Sequence, residues 1–384
     1  MSSLLVVAGE ASGDRAAAAV LARLPRMHTF GMGGRAMARA GVDLVSDLCA
    51  STALGVGEPL SRSWEVLRAW RAVLRAARVR KPRAALLVNY TEFNMRVAPR
   101  LHAAGVPVVW YGAPQVWAWR PQRTRTLRRF VDRMAVMLPF EEALWRAAGV
   151  DAHYVGHPAV EGAVLDRASA RIALGMTPYA AAIAVLPGSR PHEVRRLLVP
   201  MLDAYESIRA DRASVDARVL VAPSLDEITR AWLIETCAVK RVTTFDVDPT
   251  VGAVGVLRAF DASLCASGTG SLEAALARAV PIVSYRVGVA TELTARALLS
   301  IPNVALPNVL LGRRAFPELV QRDATPVRIA AALADVLDRR DAFVAACREV
   351  EAALGDERTP SLAVARMLMP MLGVRPTAAL SVSP

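Results

Sequence analysis

Short apolar runs alternate with stretches of helical periodicity along the whole chain, a pattern that predicts βα units building parallel sheets. In the first half Leu4–Ala8, His28–Gly31, Ala84–Val88, Pro107–Tyr111, Arg133–Leu138 and His153–Val155 read as strands, with helices between them such as Ser12–Leu24 and Glu141–Ala148. In the second half strands are expected at Ala181–Leu186, Arg218–Ala222, Val242–Phe245, Ala262–Cys265 and Pro281–Tyr285. Helices there are expected at Pro191–Asp211, Leu225–Cys237, Gly270–Arg278 and Thr325–Asp338. A chain of 384 residues suits two α/β domains. The breaks at Gly156-His-Pro158 and Gly175-Met-Thr-Pro178 set the expected division: a first domain over 1–165, a second over 166–340, and a helical tail over 341–384 whose last residues fray. Two doubly wound domains in tandem hold their ligand at the carboxyl ends of their sheets.

Two strand exits carry candidate chemistry. Val185-Leu-Pro-Gly-Ser-Arg190 and Ala266-Ser-Gly-Thr-Gly-Ser-Leu-Glu273 each break an apolar run into small residues and then open a helix. Free backbone N–H groups and the positive end of a helix dipole make such a turn an anion site. Two of them in one half point to a diphosphate, with Arg190 as a fork-shaped cationic donor beside it. The competing reading of Arg190 is a surface residue paired with Glu193 one turn on.

Charge divides unevenly. Residues 1–165 hold 22 Arg and Lys against 12 Asp and Glu, so nearly all of the net +12 lies in the first half. The densest stretch, Ser61 to Arg83, sets eight basic residues against Glu65, with Trp64, Leu67, Trp70, Val73 and Leu74 at helical spacing. A basic amphipathic helix with tryptophans fits an anionic membrane surface; a solvated helix with its tryptophans in the core is the alternative. No nucleic-acid reading motif accompanies the basic residues, so no nucleic-acid partner is expected. The scattered Cys49, Cys237, Cys265 and Cys347 indicate a reducing, cytoplasmic setting with neither a disulfide framework nor zinc. No signal peptide or membrane span is expected. No metal is expected either: Asp246-Val-Asp248 has the spacing of a donor motif but leads into Pro249 at a strand exit.

The chain resembles the lipid-A-disaccharide synthases. The matching segments are Val7-Ala-Gly-Glu-Ala-Ser-Gly-Asp14, Phe93-Asn94, Ala113-Pro-Gln-Val-Trp-Ala-Trp-Arg120, Leu138-Pro-Phe-Glu141, Tyr154-Val-Gly-His-Pro158, Leu186-Pro-Gly-Ser-Arg190, Ser267-Gly-Thr269 with Leu272-Glu273, and Leu306-Pro-Asn-Val-Leu310. The first and third blocks are the specific ones. The resemblance implies a GT-B fold of two facing Rossmann-like, doubly wound parallel-sheet domains, and an inverting transfer without a cofactor. The implied donor is UDP-2,3-diacylglucosamine and the implied acceptor 2,3-diacylglucosamine 1-phosphate, at the inner-membrane surface, with a homodimer as a candidate assembly. Other GT-B activities, a UDP-sugar epimerase or a transferase with a soluble acceptor, fit the Trp-Ala-Trp-Arg block less well.

On this resemblance Gly188, Ser189 and Arg190 would meet the UDP diphosphate, joined by the backbone of Ser267, Gly268 and Thr269. Glu273 would bind ribose, and Asn308 would bind substrate. Glu10, Ser12 and Asp14, after the first strand, would serve sugar hydroxyls or a proton transfer; alternatively Ser12 or Asp14 only caps a helix, worth about 1 kcal/mol. Trp117, Trp119 and Arg120 would line an acyl groove or stack on a sugar, or else pack beneath it. His157 suits a hinge or a supporting polar role. One departure matters. Where the family carries Asp-Ala-Pro-Asp-Phe-Asn, this chain has Asn89-Tyr-Thr-Glu-Phe-Asn94. Asn89 cannot take a proton. Either Glu92 or Glu10 replaces the first aspartate as base, or the protein is a slow or inactive UDP-sugar- and lipid-binding homologue.

Overall fold

The computed structural model describes residues 3–47, 59–118, 120–162, 164–212, 214–249, 251–286 and 303–374. The chain folds into two compact units, each built on a parallel sheet. In the first, β1 (Ser3–Ala8), β2 (His28–Met32), β3 (Asp43–Ser46), β4 (Ala84–Val88), β5 (Val108–Tyr111), β6 (Arg133–Val136) and β7 (Ala152–Tyr154) lie in the order 3-2-1-4-5-6-7. In the second, β8 (Ala181–Leu186), β9 (Val215–Val221), β10 (Thr243–Asp246), β11 (Ala262–Ala266), β12 (Val280–Tyr285) and β13 (Glu318–Val320) lie in the order 10-9-8-11-12-13.

Both faces of the first sheet are covered, which is why its central strands run apolar without alternation over Leu4–Ala8 and Ala84–Val88. Leu5 and Val7 of β1 pack with the helices Pro59–Arg80, Thr91–Ala103 and Pro139–Ala147. Leu4, Val6 and Ala8 pack with Ala11–Leu21 and Pro360–Leu372. The edge strands β3 and β13 escape a reading by hydrophobicity because they are short and carry polar residues.

The units are not divided where the sequence suggests. The first runs to Glu161 and recovers the chain from Glu357 onward. The tail expected as one element over 341–384 is therefore split: helix Arg340–Ala353 belongs to the second unit and helix Pro360–Leu372 to the first. Glu161 anchors the return, accepting from the Ser361 amide at 2.9 Å and pairing with Arg23 at 3.2 Å.

Helix Pro59–Arg80 turns Ala69 and Val73 inward, with Trp70 and Leu74 packed on the same core. Trp64 is 58% exposed, with the Arg71 guanidinium 5.8 Å from its ring centroid. The two tryptophans thus split between the two readings of this helix. Among the described residues no helix is long and apolar enough to cross a membrane.

Candidate functional site

Strand order reverses between β1 and β4 in the first unit and between β8 and β11 in the second. At such a switch point the loops leaving adjacent strands part to opposite faces and open a crevice. The four motif loops leave the carboxyl ends of these four strands: Gly9–Asp14 after β1, Asn89–Glu92 after β4, Pro187–Arg190 after β8, and Ser267–Thr269 after β11.

In the first unit the chain turns sharply at Asn89 and Tyr90, with φ of 47° and 40°. Three contacts hold the turn. The Asn89 amide donates to Tyr111 O at 2.8 Å, and Asn94 Nδ2 donates to Asn89 O at 2.9 Å. The Tyr90 ring lies against Gly9, where a Cβ would come within 2.2 Å of Cδ1. The Asn89 side chain is wedged between Gly112 and Gly13: Cβ atoms there would lie 1.9 Å from its Oδ1 and 3.7 Å from its Nδ2. Gly112, at φ 80°, is thus required by both its backbone and its neighbour.

The carboxylates on these loops separate into distinct roles. Asp14 is buried, and its oxygens accept from the amides of Gly34 (2.8 Å), Ala36 (2.8 Å) and Met37 (3.1 Å). It caps the helix Arg35–Arg39, which corrects the expectation that it binds substrate. Glu92 is exposed on the first turn of its helix and pairs with Arg123 and, at 3.3 Å, with Arg120. It anchors the loop that follows β5. Glu10 precedes helix Ala11–Leu21 in extended conformation, and its side chain does not cap that helix. Ser12 is half-buried in the first turn.

On the loop after β5, Trp117 donates its indole N–H to Glu141 Oε1 at 2.9 Å and meets the Phe140 ring edge-on at 5.4 Å. Arg120, exposed at φ 53°, continues the loop. Trp119 lies outside the described residues. Glu141 also accepts from the Leu138 amide at 3.1 Å. Burial pushes its carboxyl up to about 7, against the hydrogen bonds from Trp117, Leu138 and Met137. Sequence reasoning quoted this glutamate but gave it no role. Its signal was a capping-box position, three residues past the helix start and behind a proline. His157 is buried and accepts from the Ala159 amide through Nδ1 at 3.1 Å, so its proton sits on Nε2. Burial pushes its imidazole down to about 4. It is a neutral cap.

In the second unit β8 and β11 are paired, with Leu186 opposite Cys265. The Gly188–Arg190 turn is not an open anion cradle. Glu193, mostly buried, accepts from the amides of Ser189 (3.1 Å) and Arg190 (3.3 Å). Gly188, at φ 122°, is bare because a Cβ there would come within 2.5 Å of Glu193 Oε2. The Ser189 amide expected to face a diphosphate is thus held by Glu193 together with that of Arg190. Arg190 also pairs with Glu193, Nη1 to Oε1 at 3.1 Å, yet its side chain stays 52% exposed.

The neighbouring turn is different. Among the described residues, Gly268, at φ 139°, has open space where a Cβ would be, and as the N-cap of helix Thr269–Leu276 it brings no capping side chain. The Ser271 amide of that helix donates back to Gly268 O at 3.1 Å, while the amides of a helix's first positions have no acceptor one turn back along the helix. The Ser267 hydroxyl donates to Val304 O at 2.8 Å, tying the turn to the loop before helix Leu306–Leu311. Glu273 is buried near Cys265, whose thiol is pushed up to about 12, by burial above all, with the Glu273 charge adding. Tyr285, ending β12, was missed by the sequence reading. Burial and then the Glu193 charge push its phenol up, while the Arg190 charge opposes.

Asn308 is corrected as well. It is fully buried, with Nδ2 donating to Phe316 O (2.9 Å) and Glu318 Oε1 (2.8 Å) and Oδ1 accepting from the amides of Ala315 and Phe316 (both 2.9 Å). Every donor and acceptor serves the fold. Asp246 is likewise committed, to a bidentate pair with Arg230 at 2.6 and 2.7 Å.

A family model described as lipid-A-disaccharide synthetase matches residues 4–365. The chain is 43% identical over 366 residues to the lipid-A-disaccharide synthase of Anaeromyxobacter sp. (strain K), covering 93% of this chain and 94% of that one. In three dimensions it is similar to UDP-GlcNAc 2-epimerase from Neisseria meningitidis bound to UDP-GlcNAc (TM-score 0.63, 10% identity, 96% and 100% of the two chains). It is also similar to MurG of Acinetobacter baumannii (TM-score 0.53, 14% identity, 96% and 100%). At these identities the structural likeness shows the fold, which is GT-B.

Proposed function

The chain belongs to the lipid-A-disaccharide synthetase family, and we propose that its strand-end loops divide the chemistry of one glycosyl transfer between them. The protein is a glycosyltransferase of lipid A biosynthesis. It condenses UDP-2,3-diacylglucosamine with 2,3-diacylglucosamine 1-phosphate to give lipid A disaccharide 1-phosphate and UDP. An acceptor hydroxyl oxygen attacks the anomeric carbon, the bond from that carbon to the UDP oxygen breaks, and the hydroxyl proton goes to a base. Negative charge builds on the departing diphosphate.

The second unit takes the donor. The observation that carries this reading is the contrast between the two turns at its switch point: Glu193 takes the amides of one, while among the described residues the other has open space at Gly268. The diphosphate sits on the amides at the start of helix Thr269–Leu276, with the exposed guanidinium of Arg190 on the leaving oxygens. Charge that grows only as the bond breaks is stabilised mainly in the transition state, which raises turnover. Glu273 faces the ribose, and Tyr285 flanks the site beyond β11.

The first unit takes the acceptor, and Glu10 is the base. Glu92 is tied to two guanidiniums and holds the Trp117–Arg120 loop in place. Asn89 orients a hydroxyl but accepts no proton. Glu10 lies on the loop that leaves β1, the strand paired with β4, which leads into Asn89. Ser12 assists as a hydroxyl partner. Trp117 and Arg120 line the acyl-chain side. Trp64 and the basic face of helix Pro59–Arg80 support peripheral contact with anionic lipid on the cytoplasmic side of the inner membrane. Purified protein given radiolabelled acceptor and UDP-diacylglucosamine should form a disaccharide monophosphate in the presence of EDTA. Binding of UDP without product would mark an impaired homologue instead.

A further inference from the structure

At the opposite edge of the second sheet, where β8, β9 and β11 begin, lies a cavity of about 610 Å³. That is within the usual range for small-molecule sites. Arg167, Arg171, Arg212, Arg340, Asp261 and Tyr179 are among its lining residues. The six residues of β8 put it roughly 20 Å from the switch point.

Three guanidiniums converge on one carboxylate there. Asp261 pairs with Arg167 at 2.8 Å, Arg171 at 3.2 Å and Arg340 at 3.1 Å, and also accepts from the Ala182 amide at 2.9 Å. Its oxygens are saturated while the cluster keeps two positive charges in excess. Arg171 is the anchor: buried, it donates to the carbonyls of Ala259, Thr177 and Pro178. It also feels the repulsion of its neighbours. Its guanidinium is pushed down by burial first and then by Arg167, with Arg340 adding and Asp261 and Asp216 opposing. Arg340 Nε is buried close to Asp261 without the alignment of a hydrogen bond. Arg167 spends one donor on Asp261 and is partly exposed. Arg212, also lining the cavity, pairs with Asp338 at 2.7 Å, and Tyr179, another lining residue, is 96% exposed. A cationic cluster of this kind, with unused donors facing a concave space, is what a multiply charged anion would relieve.

We propose that this cavity is a second anion site, for a small molecule bearing phosphate or diphosphate, separate from the nucleotide site at the carboxyl ends of the strands. Arg167 and Arg340 are the ligand-facing donors, Arg171 and Asp261 fix them, and Tyr179 offers a face for a ring next to the phosphate. The test is calorimetry of the full chain with inorganic pyrophosphate in magnesium-free buffer. Excess UDP is present throughout to occupy the nucleotide site. Wild type should bind one equivalent saturably. R167Q/R340Q should weaken that binding at least tenfold, and R190A should leave it unchanged. Hydrogen exchange on the wild type gives a second readout that needs no variant: pyrophosphate should protect 167–182. Absence of saturable binding, equal affinity in R167Q/R340Q, loss of binding in R190A, or protection confined to 267–276 would each overturn the proposal.

Discussion

Glu141 and His157 are buried in the first unit and perturbed in opposite directions, which makes the pH dependence of its stability a sharp test. Burial raises Glu141 from 4.5 to about 7 and lowers His157 from 6.5 to about 4. Between pH 4.5 and 6.5 the unfolded chain has an ionised Glu141 and a protonated His157, while the folded chain holds the carboxyl neutral and the imidazole neutral. Folding thus takes up one proton at Glu141 and releases one at His157, so the two contributions cancel and these groups give wild type no slope. E141Q leaves His157 alone, whose stability contribution is lost as pH falls through that window. Stability should then rise with pH at about 1.4 kcal/mol per unit, or about 3 kcal/mol across the window. H157N leaves Glu141 alone. Its raised value penalises the fold as pH rises, so stability should fall by about the same amount. The amide side chains introduced by E141Q and H157N keep acceptors for the Trp117 indole and the Ala159 amide. Urea unfolding at three pH values, followed by tryptophan fluorescence, isolates this unit, because six of the seven tryptophans lie in it and only Trp232 in the other. If both variants simply parallel wild type across the window, the two groups are not held neutral and the reasoning is refuted.

Removal of the proposed base, E10Q, should cut kcat by roughly 10²–10⁴ with UDP affinity intact. E92Q should stay within about tenfold of wild-type kcat, and the reverse ranking in steady-state assays would transfer the role to Glu92. N89D should raise kcat if the missing aspartate limits the rate; an unchanged rate would show that Glu10 suffices. R190A should lower kcat by roughly 10²–10³ with an unfolding midpoint like that of wild type. N308A, by contrast, orphans the Ala315 and Phe316 amides and should destabilise by about 3 kcal/mol. A normal midpoint for N308A in denaturant titration would return Asn308 to the substrate list.

Motif position was legible because glycine and small residues at strand exits announce the switch-point loops, and all four loops fall there. Which atoms of a motif face outward was not. Asp14 and Asn308 sit inside family blocks, but their partners, the Gly34–Met37 turn and the 315–318 segment, are set by tertiary packing that spacing does not encode. Glu193 hid in plain view. A glutamate three residues into a helix is a capping signal, and here the cap consumes the amides that the Gly-Ser-Arg turn seems to advertise. The boundary at the tail failed for a similar reason. Helices Arg340–Ala353 and Pro360–Leu372 are alike in pattern, and only tertiary contacts, the packing on β1 and the Glu161–Ser361 bond, show that the second returns to the first unit.

The loop at Asn89 explains how the family aspartate can be exchanged without loss of the fold. Two successive non-glycine residues at positive φ cost about 1–3 kcal/mol each, so the turn persists only because its surroundings over-determine it. The supports are backbone groups and neighbours of residue 89: Tyr111 O, the Asn94 amide, and the Tyr90 ring on Gly9. None of them depends on a charge at residue 89. Asn and Asp are the residues that visit this conformation most readily after glycine, and they share a shape that fits between Gly13 and Gly112. An Asp-to-Asn change therefore preserves the turn and removes a charge. With the turn kept, the β1 and β4 strands that carry the two loops stay in register, Ala8 opposite Val88.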